Sequence, residues 1–269
     1  MSVKDATVMA GDDGTFLLSF SAFFHDDATG DFRSHLGAVT TRDWKTFSEP
    51  LFMWDGKTGA GAAGAGLDGL CSPNLFEVPA SERKAHPGLP RYVLSFNSWS
   101  DDHKRRSEDR LFYVTSEDLL QWNMSATQEL ARGLTDGMRA IDAALAWDGA
   151  AQRWILAWKG TQDGLGTKTR LAFLPGPTLS GHGWQFLPDG TAAPTGIPTM
   201  TLFDGSPSHT SENYQLLQRG ASWSLVTSDY GDGVPTNNRT TWVYDLATAG
   251  SAGAGANAAA AHGGAGARP

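Results

Sequence analysis

The chain has 269 residues, of which 40% are hydrophobic and 19% charged, a composition typical of a soluble globular protein with a substantial core. Its formal net charge is −8, which argues against binding to nucleic acid or to an anionic membrane surface, because both need clustered Lys and Arg. The single cysteine, Cys71, excludes a disulfide within the chain and a zinc site built from cysteines.

Alternating apolar and polar residues predict β-strands along nearly the whole chain. In order, the predicted strand segments are ATVMAGDDGTFLLSFSAFF, HLGAVTT, NLFEV, RYVLSFNSW, RLFYVTS, AALAW, RWILAWKG, TRLAFL, YQLLQ, SWSLVTSDY and TTWVYDL. Residues 12–14, 147–150 and 218–221 are typical of hairpin turns. No segment keeps a helical stripe for three turns, so we expect an all-β fold.

A hairpin headed by a polar residue recurs along the chain. Asp5, Ser72, Asp142 and Glu212 each precede an apolar strand, a turn and an aromatic-rich second strand, at intervals of 67, 70 and 70 residues. Such recurrence predicts a β-propeller, in which each unit is a four-stranded blade and the innermost strands line a central channel. We place this domain at residues 1–249. The Ala/Gly-rich segment 250–269 cannot form a blade and is predicted to be disordered.

In a propeller the innermost strands all start on one face, so the residues at their heads gather at the channel mouth. Asp5, Asp142 and Glu212 would then meet although they are far apart in sequence. Repulsion between acids, together with burial, favours one protonated and one ionised carboxyl group near neutral pH. These are the two groups needed to protonate a glycosidic oxygen and to deprotonate the attacking water.

Four segments in order carry a resemblance to glycoside hydrolase family 43, the five-bladed propellers that include α-L-arabinofuranosidases and β-xylosidases. KDATVMAGDDGTFLLSF resembles the family's opening Asp-Pro strand, and CSPNLFEV resembles its Ala-Pro-Glu-Val strand. AIDAALAWDGAAQRWILAWKG is similar to its Ile-Asp-Pro or Ile-Asp-Ala strand, and SENYQLLQRGASWSLVTSDYGDG to its Glu-Gly-Pro strand. The resemblance spans roughly residues 3–246 and implies a glycosidase without a cofactor that acts on an oligo- or polysaccharide.

Carried over by position, the resemblance implies that Asp5 is the general base, that Asp142 orients the catalytic acid, and that Glu212 is the general acid. It also implies inversion of configuration at a terminal α-L-arabinofuranosyl or β-D-xylosyl residue. Lys159 resembles a lysine that some members carry at the end of this hairpin, where it would face the substrate. The alternative is a purely structural role, in which Asp142 caps a turn and Glu212 is a solvated residue at the end of a strand.

The chain departs from the family pattern in several places. Ala6 and Ala143 replace prolines, and Asn213 replaces the glycine after the acid. Leu70 and Cys71 stand where many members place a stacking Trp. No fifth blade follows residue 246, so four blades are recognisable, and either the sequence is partial or the ring closes in another way.

Aromatic and histidine residues supply the remaining candidates for the site. Trp99, in a loop-like segment, is the best candidate for stacking on a sugar, followed by Phe24. His209, three residues before Glu212, is a further candidate for the cleft. Most other tryptophans are expected in the blade core: Trp44, Trp122, Trp154, Trp223 and Trp242. The seven histidines lack metal-ligand spacing, so we expect no zinc site, and a channel calcium ion, which some relatives hold, has no support in the sequence.

Three alternatives to this hydrolase stay open at the level of the sequence. The first is a carbohydrate-binding propeller that has lost turnover, and the second is a scaffold propeller. The third is a relative of the sucrose- and fructan-cleaving propellers, although the chain lacks their Asn-Asp-Pro-Asn opening. The start of the chain lacks the features of a signal peptide, and neither the compartment nor the oligomeric state can be assigned from the sequence.

Overall fold

The structure of the chain is a computed structural model that describes residues 2–25, 32–56, 69–99, 109–162, 166–186, 200–201, 207–208, 211–219, 222–229 and 241–246. The tail predicted to be disordered, residues 250–269, lies outside these ranges. None of the helices in the described part is long and apolar enough to cross a membrane.

The described residues form four successive antiparallel sheets, each built from strands in chain order. The first contains β1 (Ser2–Ala10), β2 (Phe16–His25), β3 (Phe32–Thr41) and β4 (Phe52–Trp54). The second contains β5 (Leu70–Glu77), β6 (Tyr92–Ser98), β7 (Leu111–Ser116) and β8 (Gln128–Glu129). The third contains β9 (Arg139–Asp148), β10 (Arg153–Gln162), β11 (Gly166–Pro175) and β12 (Gln185–Phe186).

After a two-stranded pair, β13 (Met200–Thr201) and β14 (Pro207–Ser208), the fourth sheet contains β15 (Ser211–Arg219), β16 (Ser222–Asp229) and β17 (Thr241–Leu246). The first strands of neighbouring sheets pack against one another: β1 on β5, β5 on β9 and β9 on β15. These successive up-and-down sheets, three of four strands and one of three strands in the described part of the chain, confirm the predicted all-β propeller class.

Apolar clusters between adjacent sheets hold the units together. Leu17, Leu36, Leu94 and Phe96 belong to the cluster that joins the first and second sheets. A larger cluster joins the second and third sheets and includes three tryptophans, Trp147, Trp154 and Trp158, each almost fully buried. A smaller one, with Ala144, Ala157, Tyr214 and Leu225, joins the third sheet to the fourth. Burying a large apolar side chain contributes about 1.5–3 kcal/mol, so these tryptophans are main contributors to the contact between units.

Polar side chains close the hairpin between β1 and β2 at the predicted turn. The Asp13 carboxylate accepts hydrogen bonds from the Thr15 N–H (3.0 Å) and hydroxyl (2.9 Å). Gly14 between them has φ 79°, a conformation that glycine adopts without strain. The β9–β10 turn begins two residues later than predicted, because Trp147 and Asp148 still belong to β9. The third predicted turn includes residues 220 and 221, which lie outside the described ranges.

Two local predictions are wrong or incomplete. Trp44 is 49% exposed instead of buried, because it lies in the turn after β3 with φ 59°, where its ring packs beside that of Phe16 (ring centroids 5.0 Å apart). A six-residue helix, α1 (Ala80–Ala85), is too short for its periodicity to be detected. Its Glu82 carboxylate accepts from Trp147 Nε1 (3.0 Å) and links the second and third sheets.

Candidate active site

A cavity of about 280 Å³ opens where the first strands of the four sheets meet. Each strand contributes residues close to its own start. The lining residues are Asp5, Ala6, Ser72, Pro73, Asn74, Asp142, Ala143, Tyr214 and Gln215. Two carboxylates that are distant in sequence, Asp5 and Asp142, therefore share one cavity.

Three of the lining residues have a left-handed backbone that L-amino acids rarely adopt. Their φ angles are 54° at Asp5, 53° at Ser72 and 59° at Asp142. Each is the first of two residues that interrupt the pairing between the innermost strand and its neighbour. Such a β-bulge changes the direction in which a side chain projects. A left-handed non-glycine residue costs about 1–3 kcal/mol, so backbone strain is concentrated at the residues that line the cavity.

Both the backbone and the side chain of Asp142 are held by hydrogen bonds. The Ser72 hydroxyl donates to Asp142 Oδ1 (2.7 Å), and the Asp142 N–H donates to Asn97 Oδ1 (3.0 Å). Asn97 is fully buried, and its Nδ2 donates to the Ser98 carbonyl (2.7 Å) and to Cys71 Sγ (3.1 Å). The amide of Asn97 is thereby fixed in the orientation that receives the strained Asp142 backbone.

Asp5 is held by a hydroxyl from the neighbouring strand. Ser21 Oγ donates to Asp5 Oδ2 (3.2 Å), and the Lys4 ammonium lies 3.8 Å from the same oxygen. The Lys4 side chain is half-exposed, so water screens this ion pair and it contributes little energy. Ser21 Oγ also accepts from the Ser72 N–H (2.7 Å), which connects the first sheet to a lining residue of the second.

The only cysteine lies beside the two acids. Cys71 is buried, and burial raises the pKa of its thiol far above the ordinary value, with smaller contributions from the charges of Asp142 and Asp5. A thiol with so high a pKa stays protonated and is a poor nucleophile. Its place in the site is therefore structural, as an acceptor for Asn97.

The fourth sheet completes the wall of the cavity. Asn74 Nδ2 donates to the Tyr214 carbonyl (3.3 Å) across the channel, which joins β5 to β15. Tyr214 is buried, and its hydroxyl lies 2.9 Å from Thr169 Oγ1 of β11. These contacts fix the start of β15 against both the second and the third sheets.

The backbone register gives Glu212 a different position from the other two acids. Glu212 pairs with Ser228, and the interruption that follows falls on Asn213 and Tyr214. Asn213, rather than Glu212, is thus the register equivalent of Asp5 and Asp142. The structure describes the backbone of Glu212, and its carboxylate lies outside what is described, so its predicted role stays a prediction.

The predicted sugar contacts are not among the described residues that line the cavity. Trp99 packs edge-on against Phe23 (ring centroids 5.8 Å apart), and the Arg139 guanidinium carbon lies 5.1 Å from its ring centroid. Phe24 is half-buried against the His35 ring (4.3 Å). Lys159 is 6% exposed and pairs with Ile141, the residue before Asp142. His209 lies outside the described residues.

Sequence reasoning assigned no role to Ser21, Asn74, Asn97 and Tyr214. A polar residue within an apolar strand, such as Asn97 in YVLSFNS, was the one available signal, but its partner across the sheet cannot be read from the sequence. Ser72 recurred with the acids at the same interval, and this recurrence does mark a lining position. Among the described residues, no group of three or more His, Cys, Asp or Glu side chains is arranged to hold a metal ion.

Comparison with known proteins gives no match in sequence, since no protein-family profile and no curated protein matches the chain. Solved structures do match. A xylan β-1,4-xylosidase from Bacillus halodurans C-125 superposes on 91% of this chain and 41% of its own, with a TM-score of 0.55 and 15% identity. An α-L-arabinofuranosidase from Lactobacillus brevis superposes on 91% of this chain and 67% of its own, with a TM-score of 0.57 and 12% identity.

A third match is the α-L-arabinanase of Cellvibrio cellulosa, whose structure contains arabinohexaose. It covers 91% of this chain and 70% of that enzyme, with a TM-score of 0.54 and 16% identity. A family 43 endo-arabinanase from Bacillus licheniformis is also similar, with a TM-score of 0.53. The chain shares the fold of these glycosidases. It spans less than half the length of the xylosidase and about two thirds of the length of the arabinofuranosidase.

Proposed function

We propose that the protein is a glycoside hydrolase that removes a terminal pentose, α-L-arabinofuranosyl or β-D-xylosyl, from a glycan with inversion of configuration. The observation that carries the proposal is the presence of Asp5 and Asp142 in one cavity at the heads of the innermost strands. The shared fold supports it, since the matched structures include a xylosidase and an arabinofuranosidase. The proposed ligand is accordingly an oligo- or polysaccharide.

Asp5 is the proposed general base. An inverting enzyme needs an ionised carboxylate that can accept a proton from the water attacking the anomeric carbon. Asp5 lines the cavity and receives hydrogen bonding from the Ser21 hydroxyl and attraction from the Lys4 ammonium. Both interactions favour the ionised form of a carboxyl group.

Glu212 is the proposed general acid, and Asp142 the residue that orients it and tunes its protonation. Glu212 stands at the start of β15, two residues before Tyr214 of the cavity wall. Asp142 heads β9, which packs against β15. An ionised Asp142 in the same cleft would favour the protonated form of a neighbouring carboxyl group, as an acid that gives its proton to the leaving oxygen requires.

The test uses three amide variants, Asp5→Asn, Asp142→Asn and Glu212→Gln, with the exposed Glu49→Gln as a matched control. We expect Asp5→Asn and Asp142→Asn to lower kcat/KM on nitrophenyl arabinofuranoside or xyloside by about 10²–10⁴-fold, Glu212→Gln to lower it by less, and Glu49→Gln to have no effect. Loss of the general acid should matter least for leaving groups that need no proton. The defect of Glu212→Gln should therefore be larger on an unactivated oligosaccharide than on the nitrophenyl substrate, whereas the defect of Asp5→Asn should be similar on both.

Wild-type turnover that none of the three substitutions reduces would remove the assignment of these residues. NMR detection of the anomer formed first tests inversion, and a product that keeps the substrate's configuration would contradict the roles given to Asp5 and Glu212. Isothermal titration calorimetry with arabino- or xylo-oligosaccharides tests the alternative of a carbohydrate-binding protein without catalytic activity. Binding without any turnover would identify a carbohydrate-binding propeller in place of an enzyme.

A further inference from the structure

Ser72 occupies in the second sheet the position that Asp5 has in the first and Asp142 in the third. All three begin a β-bulge, have φ between 53° and 59°, and line the cavity. Ser72 is 8% exposed, so its hydroxyl is largely removed from bulk water. The fold thus places a neutral donor between two carboxylates.

The contacts of Ser72 reach both acids. Its hydroxyl donates to Asp142 Oδ1 (2.7 Å), and its N–H donates to Ser21 Oγ (2.7 Å). The Ser21 hydroxyl in turn donates to Asp5 Oδ2 (3.2 Å). A single proton is available on the Ser72 hydroxyl, and the short contact to a carboxylate is stronger than its 3.6 Å contact to Cys71 Sγ.

We propose that Ser72 is a positioning residue that orients the Asp142 carboxylate and stabilises its ionised form. This inference rests on the proposed function, in which Asp142 must be ionised and aimed at the catalytic acid. The Asn97 contact holds the backbone N–H of Asp142, whereas the Ser72 hydroxyl binds the carboxylate itself. The titratable groups at the starts of the surrounding inner strands are Lys4 and Asp5 on β1, Cys71 on β5, Arg139 on β9 itself, and Glu212 and Tyr214 on β15, together with Lys159 on the paired strand β10.

Two variants separate the hydroxyl from the backbone. Ser72→Ala removes the hydroxyl but keeps a Cβ at a left-handed position, whereas Ser72→Gly removes the hydroxyl and relieves the backbone. Ser19→Ala is the matched control, because Ser19 is also buried and its hydroxyl donates to a neutral acceptor, the Gly37 carbonyl (3.1 Å).

We expect both Ser72 variants to lower kcat on the nitrophenyl pentosides by about 10- to 100-fold, as for loss of a hydrogen bond to a charged group, with little change in KM. A carboxylate that loses a donor is protonated more readily, so the acidic limb of the pH–rate profile should move to higher pH in both variants. Ser19→Ala should keep the wild-type kcat and profile. A wild-type profile in both Ser72 variants, or an equal change in Ser19→Ala, would overturn the role of Ser72.

A carbon-13 NMR titration of the side-chain carboxyl of Asp142 tests the same inference without turnover. The titration midpoint should be higher in Ser72→Gly than in the wild type, and unchanged in Ser19→Ala. Equal midpoints in Ser72→Gly and wild type would overturn the inference even if the enzyme is active. If the wild type has no glycosidase activity, the proposed function fails, while the shift in midpoint still decides whether Ser72 stabilises the ionised carboxylate.

Discussion

Replacing Asp142 by glycine and by alanine gives a pair of variants that measures the backbone strain at the site. Both substitutions remove the carboxylate and its 2.7 Å hydrogen bond from Ser72, so this loss cancels between them. The two variants differ in the Cβ atom, which is unfavourable at φ 59°. Their difference in free energy of unfolding therefore reports on the left-handed conformation.

The expected difference follows from two opposing contributions. A left-handed conformation costs an L-residue about 1–2 kcal/mol, while the extra freedom of glycine in the unfolded chain costs about 0.4–1 kcal/mol. The midpoints of the two ranges leave Asp142→Gly more stable than Asp142→Ala by about 0.8 kcal/mol. For a chain of this size, 1 kcal/mol corresponds to a difference in Tm of about 2–4 °C.

Thermal unfolding followed by circular dichroism measures the pair, and urea unfolding gives the free energies. Ala144→Gly is the control, because Ala144 lies on the same strand, is fully buried and pairs regularly with Ala157. At this position glycine should lower the stability, so the sign of the alanine-to-glycine change should reverse between residues 142 and 144. If Asp142→Ala is as stable as Asp142→Gly, the Asp142 backbone is not strained in the folded protein and the account of the bulge is wrong.

Three further predictions concern groups outside the cavity. Arg170 is fully buried with no hydrogen-bond partner among the described residues, and burial lowers its pKa. Arg170→Met should therefore raise the free energy of unfolding by about 1–4 kcal/mol. A lower midpoint of urea unfolding in this variant would contradict the prediction. Hydrogen bonds from Thr15 lower the pKa of Asp13, so its stabilisation is present above the unfolded-state pKa and is lost as pH falls through the folded-state pKa. Asp13→Asn should flatten the acid limb of the Tm–pH curve, and an unchanged slope would refute the contribution of this turn. Burial raises the pKa of Tyr113 to about 12, so an ultraviolet titration should show a phenol that ionises late and is absent in Tyr113→Phe. The contribution of the neutral Tyr113 to the free energy of unfolding should be lost as the pH rises above the pKa of this residue in the unfolded chain.

The fold could be predicted because alternation and spacing depend on short segments. Each hairpin shows an apolar face with period two, and the interval between hairpin heads reports the size of one unit. The helix Ala80–Ala85 and the exposed position of Trp44 could not be predicted in this way. The helix is shorter than two turns, and the exposure of Trp44 depends on a turn conformation that its neighbours in sequence do not specify.

For the site, the sequence predicted which strands have their first residues close together, but not the detailed contacts of those residues. Asp5 and Asp142 were identified by their interval, and the structure brings them into one cavity. The bulges were not predictable, because the innermost strands β5 and β9 are buried on both faces and so show little alternation whose phase a bulge could shift. The shift that makes Asn213 the register equivalent of Asp142 was also missed. The hydrogen bond between Asn97 and the Asp142 backbone depends on how two sheets pack together, which the local sequence does not specify.

The repeated bulge at the heads of β1, β5 and β9 has a consequence for how such a protein can evolve. The same backbone shape accepts an aspartate in two units and a serine in another. A single codon change at one of these heads can thus exchange an acid for a neutral donor, or the reverse, while the sheet pairing on either side is retained. The residue at the bulge can therefore change the chemistry of the cavity, while the paired residues on either side keep the sheet folded. Related propellers can thus gain, lose or alter turnover through substitutions that do not unfold the protein.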